Sequence, residues 1–268
     1  MIKKIIPPSV FLLAMLSTTV AMAAPVMYVD DSNGKLGTVN VETGEVNLIG
    51  SMGVVMTDIA FDPKGDLYGV SYSSLYSINP QTATAKFIGN HSIPNGNGLV
   101  FASDGTLYGA GSSTASLYKI NPLTGASTNL GNTGFSSGGD LAFNNGHLYL
   151  ASSSNQLVDV NLNNPSNSSL VGAFGVAGVL GMATGDDGVL YAVANTTIYT
   201  VDTTTGLLKL PGVNFGGSGL SAAYGQSFSS EAVPAVPGIP EPETYAMLLA
   251  GLGLLGWRLR NAQQLINL

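Results

Sequence analysis

Leu75-Tyr76-Ser77-Ile78-Asn79-Pro80-Gln81-Thr82 and Leu117-Tyr118-Lys119-Ile120-Asn121-Pro122-Leu123-Thr124-Gly125 are two copies of one pattern. A short run with apolar residues at alternate places ends at Asn-Pro, where the proline removes a donor and the asparagine bonds its own backbone, so each copy reads as a strand stopped by a tight turn. Before these copies stand Leu67-Tyr68 and Leu107-Tyr108, and the same pair recurs as Met27-Tyr28, Leu148-Tyr149 and Leu190-Tyr191, with tyrosines about 40 residues apart. The Leu-Tyr of the turn motif recurs as Leu36, Leu157-Val158 and Ile198-Tyr199, and its turn as Val41-Glu42-Thr43-Gly44 and the residues from Asp202 to Gly206. A further landmark precedes the tyrosines: Asp58-Ile59-Ala60-Phe61, Gly98-Leu99-Val100-Phe101, Asp140-Leu141-Ala142-Phe143, Gly181-Met182-Ala183 and Gly219-Leu220-Ser221-Ala222. Each unit therefore holds four short strands and no stretch long enough for a helix.

Four strands per period of about 40 residues is the layout of a propeller blade, so the fold class is all-β, a five-bladed β-propeller. Blades two to five fall at 57–89, 97–131, 139–172 and 180–213. Residues 26–50 supply three strands without a first one, and 219–225 read as a lone first strand. Pairing the two completes the remaining blade from both chain ends and closes the ring without an exposed edge. The turn motif resembles bacterial β-propeller repeats built on Leu-Tyr-x-Ile-Asn-Pro-x-Thr-Gly, over about 200 residues; this resemblance implies architecture and leaves function open.

The 268 residues include 35 Gly and 13 Pro, are 45% hydrophobic and only 9% charged, too apolar for disorder and too glycine-rich for a helical bundle. No cysteine is present, which excludes thiol catalysis and zinc–thiolate sites. A net charge of −7 repels phosphate backbones and argues against a nucleic-acid partner.

The ends carry signals. Lys3 and Lys4, an apolar stretch over 10–20 and Ala21-Met22-Ala23 form the three parts of a secretory signal peptide, residues 1–23, for export by the Sec pathway. The domain then spans 24–230, followed by a Pro-rich linker over 231–239 that reads as stiff and extended. Pro240-Glu241-Pro242 follows, then an apolar run over 246–257, then Arg258 and Arg260, a polarity that fits an outside-to-inside membrane orientation. Residues 240–268 resemble the PEP-CTERM sorting signal. The resemblance implies recognition by an exosortase, a membrane transpeptidase-like enzyme of bacteria that often make exopolysaccharide, an inner-membrane anchored precursor, and final placement in the cell envelope or outside the cell. The single hydrophobic helix is short, about 21 Å for residues 244–257 against a hydrocarbon core of about 30 Å. Two arginines followed by a neutral tail replace the family's tight basic cluster. Gly251, Gly253 and Gly256 form a literal G-x-G-x-x-G, but inside the apolar run it carries no nucleotide meaning.

A search for chemistry finds little. His91 and His147 do not recur and read as exposed loop residues. Asp62, Asp66, Asp104, Asp186 and Asp187 fall in turns, where aspartate bonds the local backbone. Asp58 and Asp140 occupy equivalent places at the start of channel-lining strands; they are weak metal candidates for a hard cation such as Ca²⁺, set against a structural role accepting backbone N–H bonds, and glycine at the same place elsewhere limits the convergence to two. The tyrosines read as inter-blade core rather than a sugar-stacking platform. No catalytic residue, cofactor or firm metal ligand emerges. The expected function is an exported, noncatalytic β-propeller with a binding or scaffold role, extracellular polysaccharide being a candidate partner. The alternatives are a secreted polysaccharide hydrolase or lyase, and a lectin-like glycan-binding propeller.

Overall fold

A computed structural model describes residues 24–232 and 250–251. Its strands in chain order are β1 (Val26–Asp31), β2 (Lys35–Asn40), β3 (Val46–Ser51), β4 (Asp58–Phe61), β5 (Leu67–Val70), β6 (Ser74–Ile78), β7 (Ala85–Asn90), β8 (Gly96–Phe101), β9 (Leu107–Gly111) and β10 (Ser116–Ile120). They continue as β11 (Ser127–Asn132), β12 (Ser137–Asn144), β13 (His147–Ser152), β14 (Gln156–Val160), β15 (Ser169–Ala173), β16 (Val179–Thr184), β17 (Leu190–Ala194), β18 (Thr197–Val201), β19 (Leu208–Asn214) and β20 (Ala223–Ser227). They form five antiparallel four-stranded sheets, β20-β1-β2-β3 and then β4 to β7, β8 to β11, β12 to β15 and β16 to β19 in meander order. First strands touch in the sequence β20, β4, β8, β12, β16 and back to β20, which closes the ring. The expected five-bladed propeller is the observed fold. The expected signal peptide and C-terminal hydrophobic helix lie outside the described residues.

The ring is held by five apolar seams, one between each pair of neighbouring blades. Met56, Ile59, Phe61, Leu67 and Ile78 of the second blade meet Leu36 of the first, and Met27, Val29 and Val39 of the first meet Ala183, Tyr191 and Val193 of the fifth. Each such large side chain contributes about 1.5 to 3 kcal/mol by leaving water. Four of the five recurring tyrosines work across these seams, each ring lying against a phenylalanine of the next blade: Tyr28 on Phe61 at 4.9 Å, Tyr68 on Phe101 at 5.1 Å, Tyr108 on Phe143 at 6.0 Å and Tyr191 on Phe228 at 5.5 Å between centroids, whereas Tyr149 stacks on His147 of its own blade.

Two expected boundaries move. The closing strand is β20, not 219–225: Tyr28 pairs with Ser227 as Tyr68 pairs with Ala60, so Gly225, and not Gly219, stands where Asp58 stands in its blade. Gln226 hid the strand, because it fills a place that Ile59, Leu99, Leu141 and Met182 fill elsewhere and so breaks the apolar pattern. Gly219 instead has φ +103° in the preceding loop, and Leu220 is buried in the seam between the first and last blades. The domain also outlasts its expected end at Ser230. Ala232 is fully buried in the seam between the second and third blades, so the first two residues assigned to the linker belong to the propeller.

Candidate functional site

The axis of the ring is where chemistry-bearing groups gather. At the aligned place in the five first strands the residues are, around the ring, Gly225, Asp58, Gly98, Asp140 and Gly181. Asp58 Oδ1 accepts from the N–H of Ile59 at 2.8 Å, and Oδ2 from the N–H of Leu99 in the next blade at 2.6 Å. Asp140 repeats this with Leu141 at 2.6 Å and Met182 in the next blade at 2.7 Å. Each aspartate thus joins its own blade to its neighbour by satisfying N–H groups that no adjacent strand reaches. The intervening glycines leave room: a Cβ at Gly181 would collide with the Gln226 amide, and one at Gly225 with the backbone of Asp58.

The two aspartates are not alone, which corrects the expected limit of two converging carboxyls. Asp30 on β1 pairs with Gly225 and occupies the place of Val70, Ala110, Ala151 and Val193. It is fully buried, and neither of its oxygens has a hydrogen-bond partner. Gln226 is 1% exposed, with both amide atoms unpartnered. Glu231 turns its carboxyl inward at the end of the channel, where Oε2 accepts from the Ser227 hydroxyl at 2.9 Å and Oε1 from the Thr184 N–H at 3.3 Å. Loss of hydration pushes Asp30, Asp58 and Asp140 well above the usual carboxylate range, and raises Glu231 to about 8. The sequence hid Asp30 because no other unit repeats it, and Glu231 because it precedes a Pro-rich run. Among the described residues no three histidine or acidic side chains are arranged to hold a metal ion.

Above Glu231 the channel opens into a groove of about 620 Å³, walled by Phe101, Phe143, Asn144, Asn145, Asp186 and Glu231 among others. Asn144 is tied down by donating to Gly188 O at 3.0 Å. Asn145, in the left-handed region at φ +49°, is exposed on the rim.

The remaining residues singled out from sequence divide cleanly. His147 is exposed and pairs with Asp159 at 2.9 Å. His91 is not the exposed loop residue expected: it is 8% exposed, with Nε2 3.1 Å from Ser71 O and its ring over Gly96, and burial lowers its pKa. Asp62, Asp104 and Asp187 each accept turn N–H groups, from Lys64 and Asp66, Thr106, and Val189 respectively. Pro240, Glu241, Pro242, Arg258 and Arg260 lie outside the described residues.

Comparison with known proteins matches these two halves of the chain. Residues 238–261 match the PEP-CTERM protein-sorting motif, and residues 59–174 match a repeat of unknown function, DUF6923. No curated protein matches. Among solved structures, a crystal structure of a nidogen/laminin complex is similar with a TM-score of 0.55 at 11% identity, over 79% of this chain and 100% of that one. A structure from a study of the de novo evolutionary emergence of a symmetrical protein has a TM-score of 0.49 at 19% identity, over 74% and 96% of the two chains. These likenesses concern the fold alone. The chain is of the class of exported β-propellers that carry an exosortase-recognised sorting signal. More particularly, it is a five-bladed ring that carries a PEP-CTERM sorting motif, which implies secretion, transient anchoring in the membrane and processing.

Proposed function

We propose that the propeller is a noncatalytic binding module, carried by its sorting signal to the envelope or beyond it, and that the groove at the channel end takes extracellular polysaccharide. The observation that carries the reading is the division between axis and groove. Asp58 and Asp140 are fully buried and committed to backbone N–H groups, out of reach of a substrate, whereas the groove offers Phe143 as an apolar wall and Asn145 and Asp186 as exposed polar groups. An apolar face flanked by a few polar groups suits a sugar ring, with its C–H surface and hydroxyl edge. A hydrolase would need two carboxyls placed across one glycosidic bond. The groove wall carries two, Asp186 and Glu231, but both oxygens of Glu231 already accept, from Ser227 and Thr184.

The test is a glycan array probed with the signal-cleaved chain, followed by assay of bound glycans for newly released reducing ends. Selective binding that is lost in Phe143→Ala and Asp186→Ala, without cleavage, is the expected result. Cleavage abolished by Glu231→Gln would replace this reading with the hydrolase; an array without any signal would leave the groove without its assigned ligand and overturn the binding role.

A further inference from the structure

The axis holds four inward carboxyls and no base. Asp30, Asp58 and Asp140 are fully buried, Asp58 and Asp140 at the same aligned place on first strands two blades apart and Asp30 beside that place on β1. The groups facing them are acidic or neutral. From β1 comes Asp31, which accepts from the N–H groups of Asn33, Lys35 and Ser221; from β20 and the residues after it come Gln226, Ser227 and Glu231; from β8 and β16 come the N–H groups of Leu99, Met182 and Thr184. The one ion pair among the described residues, His147 with Asp159, lies elsewhere at the exposed start of β13.

Buried carboxyls gathered around one axis, with no base beside them among the described residues, need protons or a cation to offset their lost hydration. Calcium wants about six or more oxygen ligands, and the acidic side chains here are not arranged for an ion. An ionised carboxylate is costly to bury without well-aligned donors, and neither Asp30 oxygen has a hydrogen bond of good geometry, so burial favours its neutral form. Occupancy by protons satisfies all of these observations.

We propose that the propeller axis is a proton-binding latch: protons held by the buried Asp30, Asp58 and Asp140 and by Glu231 keep the closing strand in place, and their loss unseats residues 223–232, which lead to the sorting motif. All four groups bind their protons more tightly in the folded chain than in the unfolded one, with desolvation as the largest cause. The stability they contribute is therefore fully present below the ordinary carboxylate range and is lost as pH rises through their folded values; for Glu231 this window runs from 4.5 to about 8. The usual carboxylate behaviour is the reverse, as at exposed Asp104, whose pKa the Thr106 N–H lowers.

Thermal unfolding of the full chain from about pH 5 to about pH 9, at constant ionic strength and with either a chelator or added Ca²⁺, tests the latch. The wild-type Tm should fall by about 5 °C or more across the series. Asp30→Asn and Glu231→Gln, which keep shape and remove the titration, should flatten the slope. Infrared difference spectra at neutral pH should show protonated carboxyl groups, and hydrogen exchange over β20 should accelerate first as pH rises. A Tm that is flat or rises with pH would overturn the proposal. So would a slope that Ca²⁺ abolishes together with the carboxylic acid band, which would place a cation on the axis. Should Asp30→Asn fail to fold, the Glu231→Gln slope and the wild-type infrared band still decide.

Discussion

Aspartate and glycine alternate around the axis because a narrow channel has room for one side chain where two blades meet. Asp58 reaches with its carboxyl into the next blade, while its Cα and Oδ1 stand against Gly225 of the blade before, so Gly225 can carry nothing: an added Cβ would strike Asp58, which cannot move without breaking its bond to Leu99. Gly98 differs, since a Cβ there would meet Ser137 Oγ at 3.2 Å and Ala110 Cβ at 3.4 Å, both able to give slightly. Gly225→Ala should therefore cost about 3 kcal/mol or more, while Gly98→Ala should cost less than about 1 kcal/mol. Urea unfolding of the two variants checks this, and equal costs would mean that the alternation is not steric. Asp58 and Asp140 could be singled out in the sequence because they stand at the same place in two units. Asp30 could not, since repetition reveals what units share and conceals what one unit does alone. Its neighbour across the pair, Gly225, was hidden with it by the displaced reading of the last strand.

The closing strand β20 is the element on which the ring depends, and it brings little apolar surface of its own. Ala223 and Phe228 pack into the seam between the first and last blades, while Gly225, Gln226 and Ser227 face the axis or the pair with β1. Ending the chain after Ala222 should strip β1 of its partner, open the seam around Met27 and Val29, and cost more than about 4 kcal/mol from Phe228 and the lost pairing together. Ending it after Ala232 should leave the melting temperature of the propeller unchanged, and ending it after Ser230 should fall between, because Glu231 and Ala232 are lost. Melting curves and elution profiles of the three truncations separate these cases; a chain ending at Ala222 that melts like the longest one would show that β20 does not close the ring. The turns that punctuate the sequence have a reason visible only in three dimensions. In the third and fifth blades the turn packs onto a glycine in the last strand of the blade before it, Thr124 and Gly125 on Gly89, and Thr205 and Gly206 on Gly172. In those two last strands a bulge lies beside the glycine. The period announces the turns, but the partner of each turn lies a whole unit away and no local pattern reveals it.

At the scale of the whole molecule the propeller and the sorting signal meet at the channel end, where Glu231 and Ala232 are the last residues of the ring and the PEP-CTERM match begins at residue 238. We propose that Pro240-Glu241-Pro242 is the element the exosortase reads, since prolines favour an extended backbone that a protease-like cleft can bind with little loss of chain freedom, with Glu241 as one charged handle. We propose a separate task for the apolar run over 246–257, to hold that element at the outer boundary of the inner membrane while Arg258 and Arg260 resist passage from the cytoplasmic side. The two parts should therefore fail differently. Replacing Pro240, Glu241 and Pro242 with Ala should leave an unprocessed precursor in the membrane, whereas deleting 246–268 should release the propeller to the periplasm uncut. Immunoblots of membrane, periplasmic and medium fractions from a host with an exosortase distinguish them. The wild type should yield a product about 3 kDa smaller than the signal-cleaved precursor, the share of residues 240–268 in the chain. Weak retention by two arginines alone predicts in addition that inserting a basic cluster after Arg260 raises the processed fraction, since a precursor that slips through the membrane is lost to the enzyme. A triple-Ala variant that matches the wild type in size and fraction would show that cleavage does not read Pro240-Glu241-Pro242, and would leave the apolar run as a short anchor and nothing more.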